Sequence, residues 1–444
     1  MVLLNAFATP LMLSATNVAL PTIGENFSLS AVALSWVPLA YLMASAMFIL
    51  IFGRLADARG RKRFFLLGTS AVVLSSAFTA LSISGSMLIA GRFLQGVSAA
   101  MVYATQMAIV SSVFPQEQRG KVIGLVVATV YVGLATGPLL GGIVTDLFGW
   151  RANFLLHIPL ALIVLAIGLW YVREEWLGLA QDFDLAGGIL FSGTIALLCI
   201  GVSFFPSALS WPLLALFLLG LIVFVRYALK KDNPIWDIRL FVNNPIFTRS
   251  CGASMIMYTA TYANTVLISL YLQQVKAFSA SLAGLILITQ PATMALISPA
   301  AGSLSDRMEP RVLATVGMAL TALGLFLLST LNADSATWIV VATLFMTGVG
   351  FSLFSSPNAN AIMGGVGSKD YGSASAAMAT TRILGQLGSM VLVAFAMAVV
   401  IGDRLIYDSN QAQLAQAIRL CFLIAAGICV PGIFLSAARG RMHS

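Results

Sequence analysis

Fourteen stretches of about 20 apolar residues follow one another along this chain, each long enough to cross a bilayer. No other feature restricts the fold so tightly. In hydrocarbon a backbone must satisfy its own hydrogen bonds, so stretches of this length become helices. Composition agrees: of 444 residues 59% are hydrophobic and 9% charged, where a soluble domain carries about 25% charged. Residues 1–23 show no small-residue cleavage site followed by a soluble domain, and are expected as the first span and not a removed signal. The expected fold class is an all-α integral membrane protein solvated by the lipid bilayer.

An even number of spans puts both termini on one side. Nearly all of the 24 Lys and Arg then fall on that side too; Arg151, Lys276, Arg404 and Arg419 lie opposite, and Arg92 and Arg382 lie within spans. Cations collect on the cytoplasmic face, so both termini are expected in the cytoplasm, with the chain in an inner or plasma membrane. The net charge of +8 is anchoring charge at span ends, with no extended basic tract to hold nucleic acid. Cys199, Cys251, Cys421 and Cys429 fall in apolar runs and read as reduced packing residues. No Walker loop, HExxH, CxxC or Ser/His/Asp arrangement is present, so neither an enzyme nor a bound metal or cofactor is expected.

The densest charge lies between the second and third spans: Gly53-Arg-Leu-Ala-Asp57-Ala-Arg-Gly-Arg61-Lys-Arg63. A cation costs about 3 kcal/mol at mid-helix, so this stretch is expected as a short loop in water. Gly53 and Gly60 suggest a tight turn in which the lone Asp57 is held by cations or a helix N-terminus. A degenerate copy runs from Gly302 to Arg311. Gly348 and Gly350 follow Gly96, and Gly385 follows Gly133, at nearly the same offset. Such repetition implies two homologous halves. The offset exceeds the roughly 200 residues that six spans need, leaving room for two inserted spans, 185–204 and 211–229. The expected organisation is a six-helix bundle over 1–172, two inserted spans with a cytoplasmic linker over 173–245, and a second six-helix bundle over 246–444.

Within this frame a few residues carry chemistry. Gly133, Gly137 and Gly141 recur every four residues, on one helix face that admits close backbone approach. Pro138 removes a donor beside that face and can kink the helix. Arg92 and Gln95 share a face at i and i+3; an ionisable group within a span commonly faces the bundle interior, and a snorkelling anchor is the other reading. Arg382, with Gln386 at i+4, stands open between a structural and a substrate role. The sixteen Asp and Glu all fall in loops or at span ends. Glu25 and Asp146, towards the outer ends, come nearest to a cavity carboxylate. His157 can titrate near neutrality or simply be hydrogen-bonded. Trp36, Tyr41, Tyr103, Met107 and Tyr131, with Tyr258, Tyr262 and Phe354 in the second half, are candidates to line a greasy central cavity.

These stretches resemble the motifs of the major facilitator superfamily, and within it the fourteen-span drug:proton antiporters of the EmrB/QacA type. Gly53–Arg63 is similar to the superfamily's motif between spans two and three, and Leu88-Ile-Ala-Gly-Arg92-Phe-Leu-Gln95-Gly96 resembles its span-four motif. Gly133-Leu-Ala-Thr-Gly137-Pro138-Leu-Leu-Gly141-Gly142 resembles the span-five motif associated with antiporters, and Asn17-Val-Ala-Leu-Pro21 the end of the span-one motif. The resemblance covers essentially the whole chain. It implies two six-helix bundles plus two inserted helices, and secondary active export of lipophilic small molecules by alternating access, of the multidrug efflux type, driven by proton antiport. A monomer is the default.

The resemblance also implies roles. Asp57 would latch the cytoplasmic side, with Arg61 in the same motif and Arg119 as an ionic partner. Arg92 would take part in proton transfer, and the span-five glycines would form a rocking surface between the halves. The family's span-one Asp falls on Met12 here, so no mid-span carboxylate is present to exchange a proton with a cationic drug. A preference for neutral or anionic amphiphiles over dications follows. An exporter of a specific metabolite or anion, and a proton-independent carrier, are the other readings of the same fold. A channel or non-transporting sensor needs no rocking halves, which the paired motifs favour.

Overall fold

The computed structural model describes residues 1–114, 116–178, 183–305, 307–366, 371–402 and 411–440, without the side chains at 116–121, 123 and 371–373. Fourteen helical stretches among the described residues are long and apolar enough to cross a membrane, in the number and order expected from the sequence. The first six are α1 (Val2–Phe27), α2 (Ala31–Arg59), α3 (Arg61–Ala80), α4 (Gly85–Val113), α5 (Gln116–Phe148) and α6 (Arg151–Trp170). Next come α7 (Leu185–Ser203), α8 (Ser210–Lys230) and a short connecting helix, α9 (Arg239–Asn243).

The ninth span, Pro245–Val275, is broken into α10 (Pro245–Thr261), α11 (Asn264–Leu270) and a π-helical turn (Tyr271–Val275). The tenth comprises α12 (Ala280–Leu287) and α13 (Thr289–Ser305). The last four are α14 (Pro310–Leu328), α15 (Thr337–Gly364), α16 (Tyr371–Val400) and α17 (Gln411–Ala437).

Helix starts follow local chemistry. Ser30, Ser84 and Ser279 accept from the backbone N–H three residues on, each at 3.2 Å, and Asn244 does the same for Phe247 at 3.0 Å. Each satisfies one of the donors that a helix N-terminus leaves orphaned.

The two halves repeat one packing scheme. In the first, α1 packs on α5 and α6, α2 on α4, and α3 on α4 and α6. In the second, α10 packs on α16 and α17, α13 on α15, and α14 on α15 and α17. The same pairing recurs when α10–α17 are laid over α1–α6 in order. Contacts between the halves also come in a related pair: α5 runs along α12 and α13, and α2 along α16, while α1 meets α11.

The inserted pair forms a hairpin whose α7 lies along both α2 and α16. Its α8 presents Leu216, Leu219 and Ile222 outward. The connection to the second half is pinned. Asp184, the N-cap of α7, accepts from Gly187 N at 3.1 Å, Tyr227 Oη at 2.7 Å and Ile235 N at 3.0 Å. Arg54 donates to Pro234 O at 2.8 Å. A file of aromatic contacts runs from Phe191 through Trp236 and Phe241 to Phe247 of α10.

Candidate functional site

The Gly53–Arg63 stretch is not the loop that its charge suggested. α2 continues to Arg59 and α3 starts at Arg61, so Gly60 alone makes the turn, at φ 119°, a backbone that L side chains rarely adopt. Gly53 lies inside α2, with Ala104 of α4 beside it. The charges escape hydrocarbon because they sit on helix ends.

Asp57 and Arg61 form an i,i+4 ion pair at 2.7 Å, and Arg61 Nη1 also reaches Ser112 Oγ at 2.7 Å. A strap from the end of α6 crosses this junction. Trp176 O accepts from Arg61 N at 2.9 Å, Gly178 N donates to Asp57 O at 2.8 Å, and Glu175 accepts from Lys62 N at 2.8 Å. The Asp57 carboxylate is thus met by Arg61 within its own half, and the strap holds its backbone. The Arg119 side chain, expected as its partner, lies outside the described residues, as does Asp306 in the second copy.

Arg92 is fully buried inside the first bundle and walled off from the space between the halves. Its Nε donates to Val37 O at 3.1 Å and its Nη1 to Gln95 Oε1 at 2.8 Å, while its guanidinium lies 4.7 Å from the Tyr41 ring centre. Gln95 completes the group by donating to Ser76 Oγ at 3.0 Å. The Met12 sulfur lies 3.1 Å from His157 Nδ1 and 3.7 Å from Nε2 of Gln95, the amide that accepts from Arg92. The snorkelling reading is therefore set aside: thioether, amide and aromatic faces surround the charge in place of an anion. Tyr41 Oη touches Tyr103 Oη at 3.3 Å, and Tyr103 lines the cavity described below.

The period-four glycines face the first helix of their own half. A Cβ on Gly133 would stand 2.4 Å from Phe7 O, on Gly137 2.6 Å from Ser14 Cβ, and on Gly141 2.4 Å from Ala15 Cα, all on α1. The expected rocking surface between the halves lies one step round the helix. There a Cβ on Gly142 would meet Ala280 O at 2.3 Å, and one on Gly284 would meet Pro138 O at 2.1 Å. Spacing showed that a smooth face exists; it could not show which neighbour fills it.

That α5–α12 contact seals one end of the molecule. Asp146 is not a cavity residue: exposed at the end of α5, it reaches across to α12 and accepts from Ser281 N at 2.8 Å and from Ser281 Oγ. On α1, Val18 O accepts from Gln273 Nε2 at 2.8 Å, closing the same end. Glu25 is exposed at the end of α1 and lines neither of the two cavities described below.

Between the halves lies a cavity that shares Pro10, Tyr103, Val130, Arg382 and Gln386 with a second one beside it. The second extends along Asn5, Ile49, Gln106 and Met107 towards the cation-rich helix ends. Of the expected lining aromatics and Met, Tyr103, Met107, Tyr258 and Tyr262 face these spaces. Trp36, Tyr41, Tyr131 and Phe354 do not; Tyr131 instead meets Ser355 across the halves at 3.3 Å. Arg382 lines both cavities, 5.9 Å from the Tyr258 ring centre. Gln290 and Phe351 line the first cavity and were not anticipated; an amide in the apolar tenth span was the available sign.

Comparison with known proteins agrees with this architecture. The sequence profile of the Major Facilitator Superfamily matches residues 2–178 and 250–441. The riboflavin transporter RibZ of Clostridioides difficile is 30% identical over 98% of this chain and 95% of that protein. The multidrug resistance protein Stp of Mycobacterium tuberculosis is 32% identical over 85% of this chain and 71% of its own length. A solved structure of the proton-dependent oligopeptide transporters superposes with a TM-score of 0.71 over 99% of this chain and 97% of that one; at 14% identity this shows the fold alone. The protein is a multi-pass transporter and not an enzyme, and it belongs to the Major Facilitator Superfamily.

Proposed function

We propose that this chain is a secondary active exporter of lipophilic small molecules that works by alternating access as a monomer in the cell membrane. The observation that carries the reading is the cavity between the two halves, shut at one end by the α5–α12 seal. The cation-rich ends of α2 and α3 support a cytoplasmic position for that side and for both termini. The conformation is then closed outward, ready to receive a molecule from the cytoplasm or inner leaflet. Parting the α5–α12 seal while the halves rotate would release it outside.

The resistance protein Stp supports a drug-type cargo, and the riboflavin transporter supports a single aromatic metabolite. Proton antiport is the proposed drive, with no bound cofactor. A proton-independent carrier is the second reading, favoured by one observation: among the described residues no Asp or Glu lines either cavity.

Purified protein in liposomes with an imposed pH gradient tests both. Substrate-dependent proton flux is the expected result. Accumulation of substrate without proton movement would replace antiport by the second reading, and absence of any uptake would refute export.

A further inference from the structure

We propose that the cavity between the halves is built for an aromatic monoanion, with its acidic group on Arg382 and its ring against Tyr258 and Phe351; this deepens the export reading and rests on it. Arg92 and Arg382, the two cations that the sequence placed inside apolar runs, are in opposite situations. Arg92 is enclosed, hydrogen-bonded by Val37 and Gln95. Arg382 lines the cavity, and among the described residues it has neither an ion-pair partner nor a hydrogen bond. Its company is the Tyr258 ring. A guanidinium in such a wall carries an unmet charge and five donors in a planar fork, the complement of a carboxylate or sulfonate.

The remaining lining fits the rest of such a molecule. Tyr258 and Phe351 stand edge to face with ring centres 5.5 Å apart, leaving aromatic surface to the cavity. Gln386 lies one turn from Arg382, and Asn17 faces the cavity from the other half; neither has a partner among the described residues. Gln290 receives only a long contact from Asn264 at 3.5 Å. Three amides around an apolar space can read ring heteroatoms or hydroxyls, whatever their polarity. A dication would bring two charges beside Arg382 with no carboxylate to receive them.

The test uses the full-length protein in lipid nanodiscs and in liposomes. Three naphthalenes of equal size are compared: the sulfonate, its neutral sulfonamide, and the trimethylammonium. The sulfonate should bind and enter roughly ten- to a hundredfold better than the ammonium, the effect of one charge-assisted hydrogen-bonded pair. Arg382→Gln should erase that preference while sulfonamide uptake continues, which shows the variant folded. Arg382→Lys should keep part of it, and Arg419→Gln, at an exposed cation outside the cavity, all of it. Preference for the ammonium, or a sulfonate preference that survives Arg382→Gln, overturns the proposal and leaves export standing. No binding or uptake of any of the three refutes both.

Discussion

Gly284→Ala tests the seal at its tightest point. The added Cβ would lie 2.1 Å from Pro138 O, 2.9 Å from Pro138 C and 3.3 Å from Leu139 Cα. All three are backbone atoms of α5, so no side chain can swing aside, and the helices must separate. Overpacking of this kind costs about 1–3 kcal/mol. The cost falls only on the state in which α5 and α12 touch, so it acts as a bias between states. A bias of that size moves the ratio of outward-open to outward-closed molecules by roughly 5- to 150-fold. Spin labels on exposed Leu147 and Leu282, in a background lacking the four native cysteines, would report the separation of the two helices. The expected result is a longer-distance population that grows at the expense of the short one. Gly124→Ala, on the same α5 with nothing within 4 Å, serves as the control and should change neither distance nor transport. An unchanged distance distribution with unchanged transport in Gly284→Ala would refute the argument that this contact is broken during turnover.

Asp146→Asn keeps the size of the cap on α12 but removes its charge; capping and helix-dipole terms of about 0.5–2 kcal/mol should be partly lost, and thiol probes should reach the outer end of α12 more readily. Gly137→Leu should insert normally yet lower the thermal midpoint and transport together, because the side chain collides with Ser14 and Leu11 of α1; normal transport at normal stability would count against the close α1–α5 packing. Burial pushes the Asp184 carboxyl up, but hydrogen bonds from Tyr227, Gly187 and Ile235 outweigh it and hold its pKa below the ordinary 3.8. A depressed folded value stabilises above the unfolded pKa and is lost as pH falls through the folded one, so the thermal-stability gap between wild type and Asp184→Asn should shrink as pH drops below 3.8.

Depth in the membrane was legible in the sequence; direction around each helix was not. Spans follow from a solvent that forbids unpaired backbone and charge, so a linear scan recovers them, though not that α2 and α3 run on to a turn at Gly60 alone. Arg92 and Arg382 look alike to such a scan, each a cation inside an apolar run. One turned into its own bundle and the other into the cavity, because neighbours from distant spans decide azimuth. The glycines of α5 make the same point: the repeat of four marks a face, and only the fold shows that α1 occupies it while Pro138 and Gly142 meet the second half. Asp146 was noted as a carboxylate near the outer end. Its actual seat, the N-terminus of α12 beside the Ser279 cap, needed a contact 135 residues away.

The α7–α8 hairpin makes the two lipid-facing flanks of the molecule mechanically unequal. It is fastened to α2, where Ser192 donates to Met47 O at 2.7 Å and Arg54 holds Pro234. Its hold on α16 includes a ring contact, Phe205 against Phe395 at 5.0 Å, which can slide. In the alternating-access reading the hairpin is expected to travel with the first half as a shield, with α16 moving beneath it. Acyl chains are then expected to stay off the α2–α16 flank, whereas on the α5–α13 flank lipid itself is expected to fill whatever space opens. Photoactivatable lipid should label α13 and spare α16 in the outward-closed state, and cargo dissolved in the bilayer then has one side of the protein, not two, from which to approach.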